Sequence, residues 1–452
     1  MERTKNFTAG PILPQLVRFA FPVLLALFLQ SLYGAVDLLI VGRFAKSVDL
    51  SAVSTGSQIM MTLTNLAASF SMGTTILLAQ RIGEGREKEG GSLIGASLFL
   101  FLLIGLGMTA LMTAGAPALA RTMNAPREAF SRTVAYTRIC GAGTLIIIAY
   151  NLIGSIFRGM GDSRTPLITV AIATVVNIVG DLLLVALLHL GAAGAAIATV
   201  SAQAVSVICS FFLIRKQKLP FRFRVRDIRW DRSLCGSVIR FGLPLALSDL
   251  LVNVSFLVLL AIANSLGLLV SAGVGVAEKV CAFIMLIALA MSQSLSAFSA
   301  QNIGAGKFDR ARRALRVGIG LSLCAGAVTG YLTFFHGDLL AGIFSKDRDV
   351  ILVAWQYLKA YAIDCLLTSF LFCFIGFFNG CGMTRFVMAQ GITGAFGVRV
   401  PVSYLMSRMK PVNVFHIGLA TPASTLVQIV LCFLGMRHVL RERNSAQLRQ
   451  TN

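Results

Sequence analysis

The chain has 452 residues, of which 56% are hydrophobic and only 13% are charged, and its mean hydropathy is +0.80. Soluble domains carry about 25% charged residues, so this composition excludes a soluble enzyme and a soluble nucleic-acid-binding protein. A membrane-spanning helix needs about 20 apolar residues, so the chain can hold about a dozen spans with short connections. The composition therefore predicts a polytopic α-helical membrane protein.

Apolar runs separated by charged clusters predict twelve membrane spans. In chain order they cover 14–41, 50–79, 92–119, 133–157, 166–188, 192–214, 241–264, 269–300, 317–343, 351–378, 386–407 and 413–436. The first run is too long for a cleaved signal peptide, so we expect it in the mature protein. The nine cysteines and four histidines are dispersed, and neither a disulfide framework, a metal cluster nor a cofactor is expected.

The 40 basic residues outnumber the 19 acidic ones, and most of them fall on one predicted side of the membrane. They precede the first span, follow the second, fourth and eighth, and fill the linker after the sixth and the tail after the twelfth. The positive-inside rule then predicts a plasma-membrane protein with both termini cytoplasmic. Topology and contact with anionic lipid account for the excess charge of +21, so no nucleic-acid partner is expected.

An internal repeat is the most informative feature of the sequence. Three short motifs, Arg-Phe-x-x-Pro, Ala-Gln-x-Ile-Gly-x-Gly and Phe-x-Gly-x-Gly, recur in the same order about 221 residues later. The matching pairs are 18–22 with 240–244, 79–85 with 300–306, and 157–161 with 378–382. Two halves of six spans each cross the membrane in the same sense, as in transporters that work by alternating access with the substrate path between the halves.

The repeat divides the chain into three predicted parts. They are an amino-terminal six-helix lobe at 1–214, a basic cytoplasmic linker at 215–239, and a carboxyl-terminal six-helix lobe with a short cytoplasmic tail at 240–452.

In their order, these elements resemble the multidrug and toxic compound extrusion (MATE) transporters. The similar stretches are Pro22–Gly42 with Gln30, Tyr33 and Asp37, the two Ala-Gln-x-Ile-Gly-x-Gly loops, Arg158–Pro166, and Asn177–Asp181. The resemblance covers about 10–440. It implies an all-α membrane fold of two six-helix bundles that are related by a parallel internal repeat. It also implies that a monomer is sufficient for function.

Ionisable residues inside the predicted spans are functional candidates, because each costs about 2.5–3.5 kcal/mol to insert at the centre of a bilayer. Among them we single out Asp37, Asp181, Asp249, Glu278, Lys279, Asp364 and Arg399. Asp37 and Asp181 lie at similar depth in the outer halves of two spans that both run outward. Two carboxylates in one pocket of low dielectric resist ionising together, so the pair is suited to holding H⁺ or Na⁺.

Two neutral side chains complete this predicted cation site. Asn177 lies one turn before Asp181 on the same helix face, and Thr199 reaches a similar depth in the next span. The resemblance implies that Asp37, Asn177, Asp181 and Thr199 form the cation-coupling site, that Tyr33 and Asn151 adjoin it, and that Gln30 belongs with them at the substrate cavity. The alternative is that each Asp is an isolated polar residue satisfied at a helix contact.

Three acids in the second half are weaker candidates. Asp249 and Asp364 lie on the two spans that carry carboxyl-lobe acids in some MATE branches, about a turn or less from the family positions. Glu278 can instead be a polar cap near the outer part of its span, and a structural role is the alternative for all three. We expect Arg399 to be a packing element that pairs with an acid. The resemblance marks Pro22 as a hinge of the first span, and a static kink is the alternative.

Three functions are compatible with these residues. The first is a secondary antiporter that exports amphiphilic, often cationic, drugs in exchange for H⁺ or Na⁺, because the sequence has no nucleotide-binding motif. The second is a flippase for lipid-linked saccharides, which favours a cationic cavity, whereas the seven residues singled out above are five acids and two cations. The third, an intramembrane lipid-modifying enzyme, needs an Asp-xxx-Asp or His-xxx-His cluster that we do not find, so an enzyme is not expected.

Overall fold

The structure is a computed structural model that describes residues 7–216, 221, 223–411 and 413–451. The regular elements in these ranges are helices. They are α1 Ile12–Phe44, α2 Ser47–Gly83, α3 Gly90–Thr122, α4 Phe130–Ala142, α5 Thr144–Gly159, α6 Arg164–Asp181, α7 Gly191–Lys216, α8 Arg232–Asn264, α9 Leu268–Gly304, α10 Phe308–Phe335, α11 Gly337–Gly342, α12 Arg348–Gly380, α13 Thr384–Ile392, α14 Val400–Arg408, α15 Val414–Gly418 and α16 Ala420–Thr451. Short 3-10 turns occur at Glu87–Glu89 and Val225–Asp227, and π-helical segments at Leu182–Leu187 and Thr393–Arg399.

Long apolar helices follow the predicted spans. Within the described ranges, ten helices are long and apolar enough to cross a membrane, and the pair α4 and α5, bent by 51°, makes up to eleven. The remaining predicted span, 386–407, is helical from Thr384 to Arg408 through a π-helical segment. Its polar residues, among them Gln390 and Arg399, lower its hydropathy. The predicted all-α membrane architecture is confirmed.

Two predicted spans differ from the observed helices in detail. The span predicted at 133–157 is two helices that meet at Gly143, and the span predicted at 317–343 is α10, which begins at Phe308 and ends at Phe335. Hydropathy misses both features, because a polar helix end outside the membrane is still helical and a bend does not change the apolar content. The short α11 follows His336 as a separate element.

The chain forms two compact units. Unit 1 comprises Met1–Ala246, Ala297–Ala311 and Gly380–Gly382, and unit 2 comprises Leu247–Ser296, Arg312–Asn379 and Met383–Asn452. Each unit has its own apolar core, which includes Val41, Leu78 and Phe157 in unit 1 and Leu259, Tyr357 and Leu358 in unit 2.

The repeated Ala-Gln-x-Ile-Gly-x-Gly motifs contact each other inside unit 1, and we call this contact the glycine clasp. A Cβ atom on Gly83 would lie 2.0 Å from the backbone oxygen of Gln301, and a Cβ atom on Gly304 would lie 2.1 Å from the backbone oxygen of Gln80. Only glycine permits two backbones to come this close. The clasp therefore explains why both motifs carry glycine at the same place.

The glutamine side chains of the clasp also act as a pair. Gln80 Nε2 donates to the backbone oxygen of Gly380 at 3.0 Å, and Gln301 Nε2 donates to the backbone oxygen of Gly159 at 3.4 Å. Gly159 and Gly380 are themselves equivalent positions of the third repeated motif. Two of the three repeated motifs thus meet in one reciprocal set of contacts.

Candidate functional site

Three helices of unit 1 bring the predicted cation-site residues together. Asp37 lies in α1, Asn177 and Asp181 lie in the last two turns of α6, and Thr199 lies in α7. Close packing of α6 on α7 depends on Gly180, where a Cβ atom would lie only 3.0 Å from the Cβ of Ala198. These small residues let α6 and α7 approach each other closely.

The Asp37 carboxylate is the centre of this group. Thr199 Oγ1 donates to Asp37 Oδ2 at 3.2 Å, and the side chains of Asp181 and Asn177 lie directly beside the same carboxylate. Asp37 is 5% exposed, and Asp181 and Asn177 are fully buried. Thr199 has a single hydroxyl proton and also approaches the backbone oxygen of Ala195 at 3.0 Å, so its bond to Asp37 is shared.

Most polar atoms of this group lack hydrogen-bond partners. Among the residues that the structure describes, none bonds with normal geometry to Asp37 Oδ1, to either oxygen of Asp181 or to either polar atom of Asn177. Buried acceptors without donors are costly, and two facing carboxylates add mutual repulsion. A proton or a small hard cation with oxygen ligands would relieve both costs. The donor set, two carboxylates with a hydroxyl and an amide, therefore fits H⁺ or Na⁺.

A small cavity lies near this group. It has a volume of about 10 Å³, about the space of one water molecule, and its polar lining residues are Gln30, Tyr33, Tyr150, Thr174 and Gln203. Tyr33 lies one turn before Asp37, and its hydroxyl accepts a hydrogen bond from Gln203 Nε2 at 3.3 Å. The sequence analysis missed Gln203. Its signal is a polar residue one turn after Thr199 in an otherwise apolar helix.

Among the described residues, no hydrogen bond joins the Asn151 side chain to the Asp37 group. Its Nδ2 donates to the backbone oxygen of Ile147 at 2.8 Å, one turn earlier in α5. The preceding residue, Tyr150, lines the small cavity instead.

The second-half acids have three different environments. Asp249 is exposed on α8. Glu278 accepts a hydrogen bond from the hydroxyl of the buried Tyr357 at 2.8 Å. Asp364 is fully buried in α12, and neither of its oxygens has a hydrogen-bond partner among the described residues.

Arg399 lies close to two of these acids without pairing with either. Its guanidinium donates to Ser255 Oγ at 2.9 Å and lies 4.1 Å above the ring of Phe256. The charges of Asp364 and Glu278 act on its guanidinium, but among the described residues neither acid forms an ion pair with it at 4.0 Å or less. The expectation of a direct acid partner is therefore wrong, because a hydroxyl and an aromatic face already hold the guanidinium.

Arg399→Gln is expected to destabilise the protein by about 1–3 kcal/mol, because it removes the hydrogen bond to Ser255 and the positive charge that acts on Asp364 and Glu278. The measurement is the thermal unfolding midpoint in detergent. Asp364→Asn added to Arg399→Gln should recover part of the loss, since it removes one of the uncompensated acids. Lys279→Gln, which removes an exposed cation from α9, is the control and should unfold like the wild type.

Pro22 lies inside α1, which continues through it as one helix. Its missing N–H removes a hydrogen bond from the backbone of the first span.

Paired repeats, long apolar helices and a buried acid pair in one lobe define a polytopic membrane protein with a polar site at membrane depth. The family model MatE matches residues 22–183 and 244–405, once in each half. The chain therefore belongs to the MatE family, and the resemblance to MATE transporters is confirmed.

Similar proteins match along almost the whole chain. The probable multidrug resistance protein YoeA of Bacillus subtilis is 26% identical over 441 residues, covering 96% of this chain and 95% of that one. The probable multidrug resistance protein NorM of Thermotoga maritima is 24% identical over 424 residues, covering 92% and 90%.

Solved structures match the fold closely. A multidrug resistance MATE family transporter of the MOP superfamily in an outward-facing conformation has a TM-score of 0.91 at 22% identity, covering 98% of this chain and 100% of that one. A MATE structure in the bent conformation has a TM-score of 0.91 at 23% identity, covering 99% and 100%.

Proposed function

We propose that this protein is a secondary antiporter that exports amphiphilic, often cationic, organic compounds in exchange for H⁺ or Na⁺. The observation that carries the proposal is the buried pair Asp37 and Asp181, whose oxygens face each other almost without donors. Such a pair binds a cation reversibly, which is what coupling to an ion gradient requires. The names of the relatives, multidrug resistance proteins, support the class of substrate.

Coupling follows from linkage between two ligands. If the cation and the drug favour different conformations, binding of one lowers the affinity for the other by the same factor. A cation that enters between Asp37 and Asp181 neutralises the repulsion and stabilises the conformation in which both oxygens are close. Bending of α1 at Pro22 is the proposed hinge, because α1 carries both Pro22 and Asp37.

The second half is proposed to contribute to substrate binding rather than to coupling. Asp364 and Glu278 carry the charge that would attract an organic cation, and Asp249 is exposed on the same lobe. We also propose that the lobes at 1–214 and 240–452 act as the two moving parts, that a monomer is sufficient, and that no cofactor takes part.

Transport of ethidium in proteoliposomes under imposed gradients tests the proposal. We expect dye movement to be driven by a pH or a Na⁺ gradient and to be absent without either. Movement of a lipid-linked saccharide but not of dye would favour a flippase, and chemical change of a lipid would favour an enzyme. Dye movement that depends on neither gradient would overturn the proposal.

The proposed orientation, in the plasma membrane with both termini cytoplasmic, predicts one-sided access to the linker. A cysteine introduced by Arg226→Cys, an exposed position in the 3-10 turn of the linker, should react with an impermeant maleimide in inverted vesicles and not in intact cells. The exposed native Cys324 must be replaced first. Labelling of position 226 in intact cells would contradict the orientation.

A further inference from the structure

An open groove of about 470 Å³ lies where α1 and α6 begin, away from the Asp37 group. Its lining comes from one face of each helix. The lining residues are Val17, Arg18, Phe21, Pro22, Leu25, Arg164, Leu167 and Ile168. The spacing of these positions, three and four residues apart along each helix, gives two parallel walls.

Two arginines supply the whole charge of the groove. Arg18 and Arg164 are both exposed, and in the described part of the chain neither forms an ion pair. The nearest acid in sequence, Asp162, accepts hydrogen bonds from the backbone N–H groups of Arg164 and Thr165 and from the Thr165 hydroxyl. Asp162 therefore caps the start of α6 and leaves the guanidinium of Arg164 without a counter-charge.

Below the arginines the groove is apolar and open. Phe21 is 58% exposed, Ile168 is 49% exposed and Val17 is 42% exposed. An inorganic anion would use the arginines but gain nothing from this wall, and an apolar molecule would use the wall but leave the two cations unpaired. The groove thus fits a ligand with an anionic head and a hydrocarbon tail.

We infer that this groove binds an anionic phospholipid. The lipid phosphate lies between the guanidinium groups of Arg18 and Arg164, which present several donors to phosphate oxygens. An acyl chain lies along Phe21, Leu25 and Ile168. Basic pockets between membrane helices bind anionic head groups in this way, and each arginine contributes to the attraction.

The bound lipid would contact α1 at its proline. Pro22 lines the groove and has no N–H, so the backbone oxygen of Arg18, one turn earlier, lacks its normal helical partner. A lipid held here packs against the point of α1 where the proline removes a backbone hydrogen bond. Its presence therefore favours the α1 conformation of this structure. This inference depends on the membrane-spanning fold and not on the proposed antiport, so the two can fail separately.

Native mass spectrometry of delipidated protein, titrated with phosphatidylglycerol or phosphatidylcholine, tests the inference. The wild type should bind phosphatidylglycerol more tightly, and the double variant Arg18→Gln/Arg164→Gln should lose about tenfold or more in that affinity. Affinity for phosphatidylcholine should fall by much less, because its choline cation is repelled by the arginines and offsets the attraction of its phosphate. Both arginines are exposed, so the variant is expected to fold, and its thermal unfolding midpoint without lipid checks this.

A matched double variant is the control for charge alone. Arg313→Gln/Arg316→Gln removes two exposed arginines near the start of α10 and should keep the preference for phosphatidylglycerol. Equal loss in both double variants, or an unchanged preference in Arg18→Gln/Arg164→Gln, would overturn the inference. Competition by inorganic phosphate at the concentration of the lipid would show that the apolar wall contributes nothing, and would also overturn it.

Discussion

Asp37→Asn and Asp181→Asn are each expected to reduce gradient-driven efflux to background while the protein still folds and inserts. Each change keeps the size of the side chain and removes its titratable charge. With one carboxylate left, the pair no longer needs a proton or Na⁺ to relieve repulsion, so the cation loses its preference for one conformation. A ligand that binds two conformations equally cannot shift their equilibrium.

Folding should survive in both variants, because the wild-type pair is already short of hydrogen-bond donors. An asparagine amide at either position can donate to the remaining carboxylate and so stabilise it. The measurements are dye efflux from proteoliposomes and the thermal unfolding midpoint. Asp309→Asn, the same change at an exposed position near the start of α10, is the control and should transport normally. If both variants still export dye at the wild-type rate, this pair is not the coupling site. Asp364 and Glu278 are then the next candidates.

The glycine clasp gives the second large effect. Gly83→Ala or Gly304→Ala places a methyl group about 2 Å from a backbone oxygen, which cannot move aside as the end of a flexible side chain can. We expect each variant to lose about 1–3 kcal/mol of stability, the range for overpacking, and to lose transport because the reciprocal contacts of Gln80 and Gln301 are broken. The thermal unfolding midpoint and dye efflux measure the two effects.

Gly107→Ala is the matched control for the clasp. Gly107 lies inside α3, and a Cβ atom there would meet nothing within 4 Å. The change should be neutral or stabilise the protein by about 0.5–1 kcal/mol, because alanine favours helix more than glycine does. If the clasp variants behave like Gly107→Ala, the close approach of the two motifs is not important for stability.

Much of the fold could be predicted because spans depend on apolar runs, which the sequence shows directly. The helices lie where the twelve runs predict them, and the repeat is seen again in the clasp. The bend at Gly143 and the two π-helical segments could not be predicted. They depend on which neighbour each helix packs against, and hydropathy does not contain that information.

The candidate site could be predicted only as far as it depends on how deep each residue lies in its membrane span. Counting residues from the span ends put Asp37 and Asp181 at the same level, and the structure brings them together with Asn177 and Thr199. The lateral neighbours were not predictable. Gln203 reaches Tyr33, and Ser255 with Phe256 holds Arg399, only because of how the helices are rotated and packed.

The exchange of drug for cation at the Asp37 and Asp181 pair is tested most directly by adding ethidium to the purified protein in weakly buffered detergent. A pH electrode records released H⁺, and radioactive Na⁺ held by the protein records displaced Na⁺. We expect the dye to release one of these cations in proportion to the dye bound by the wild type, and to release none from the Asp37→Asn/Asp181→Asn double variant. Equal release from both proteins, or dye binding to the wild type with no release of either cation, would contradict the account.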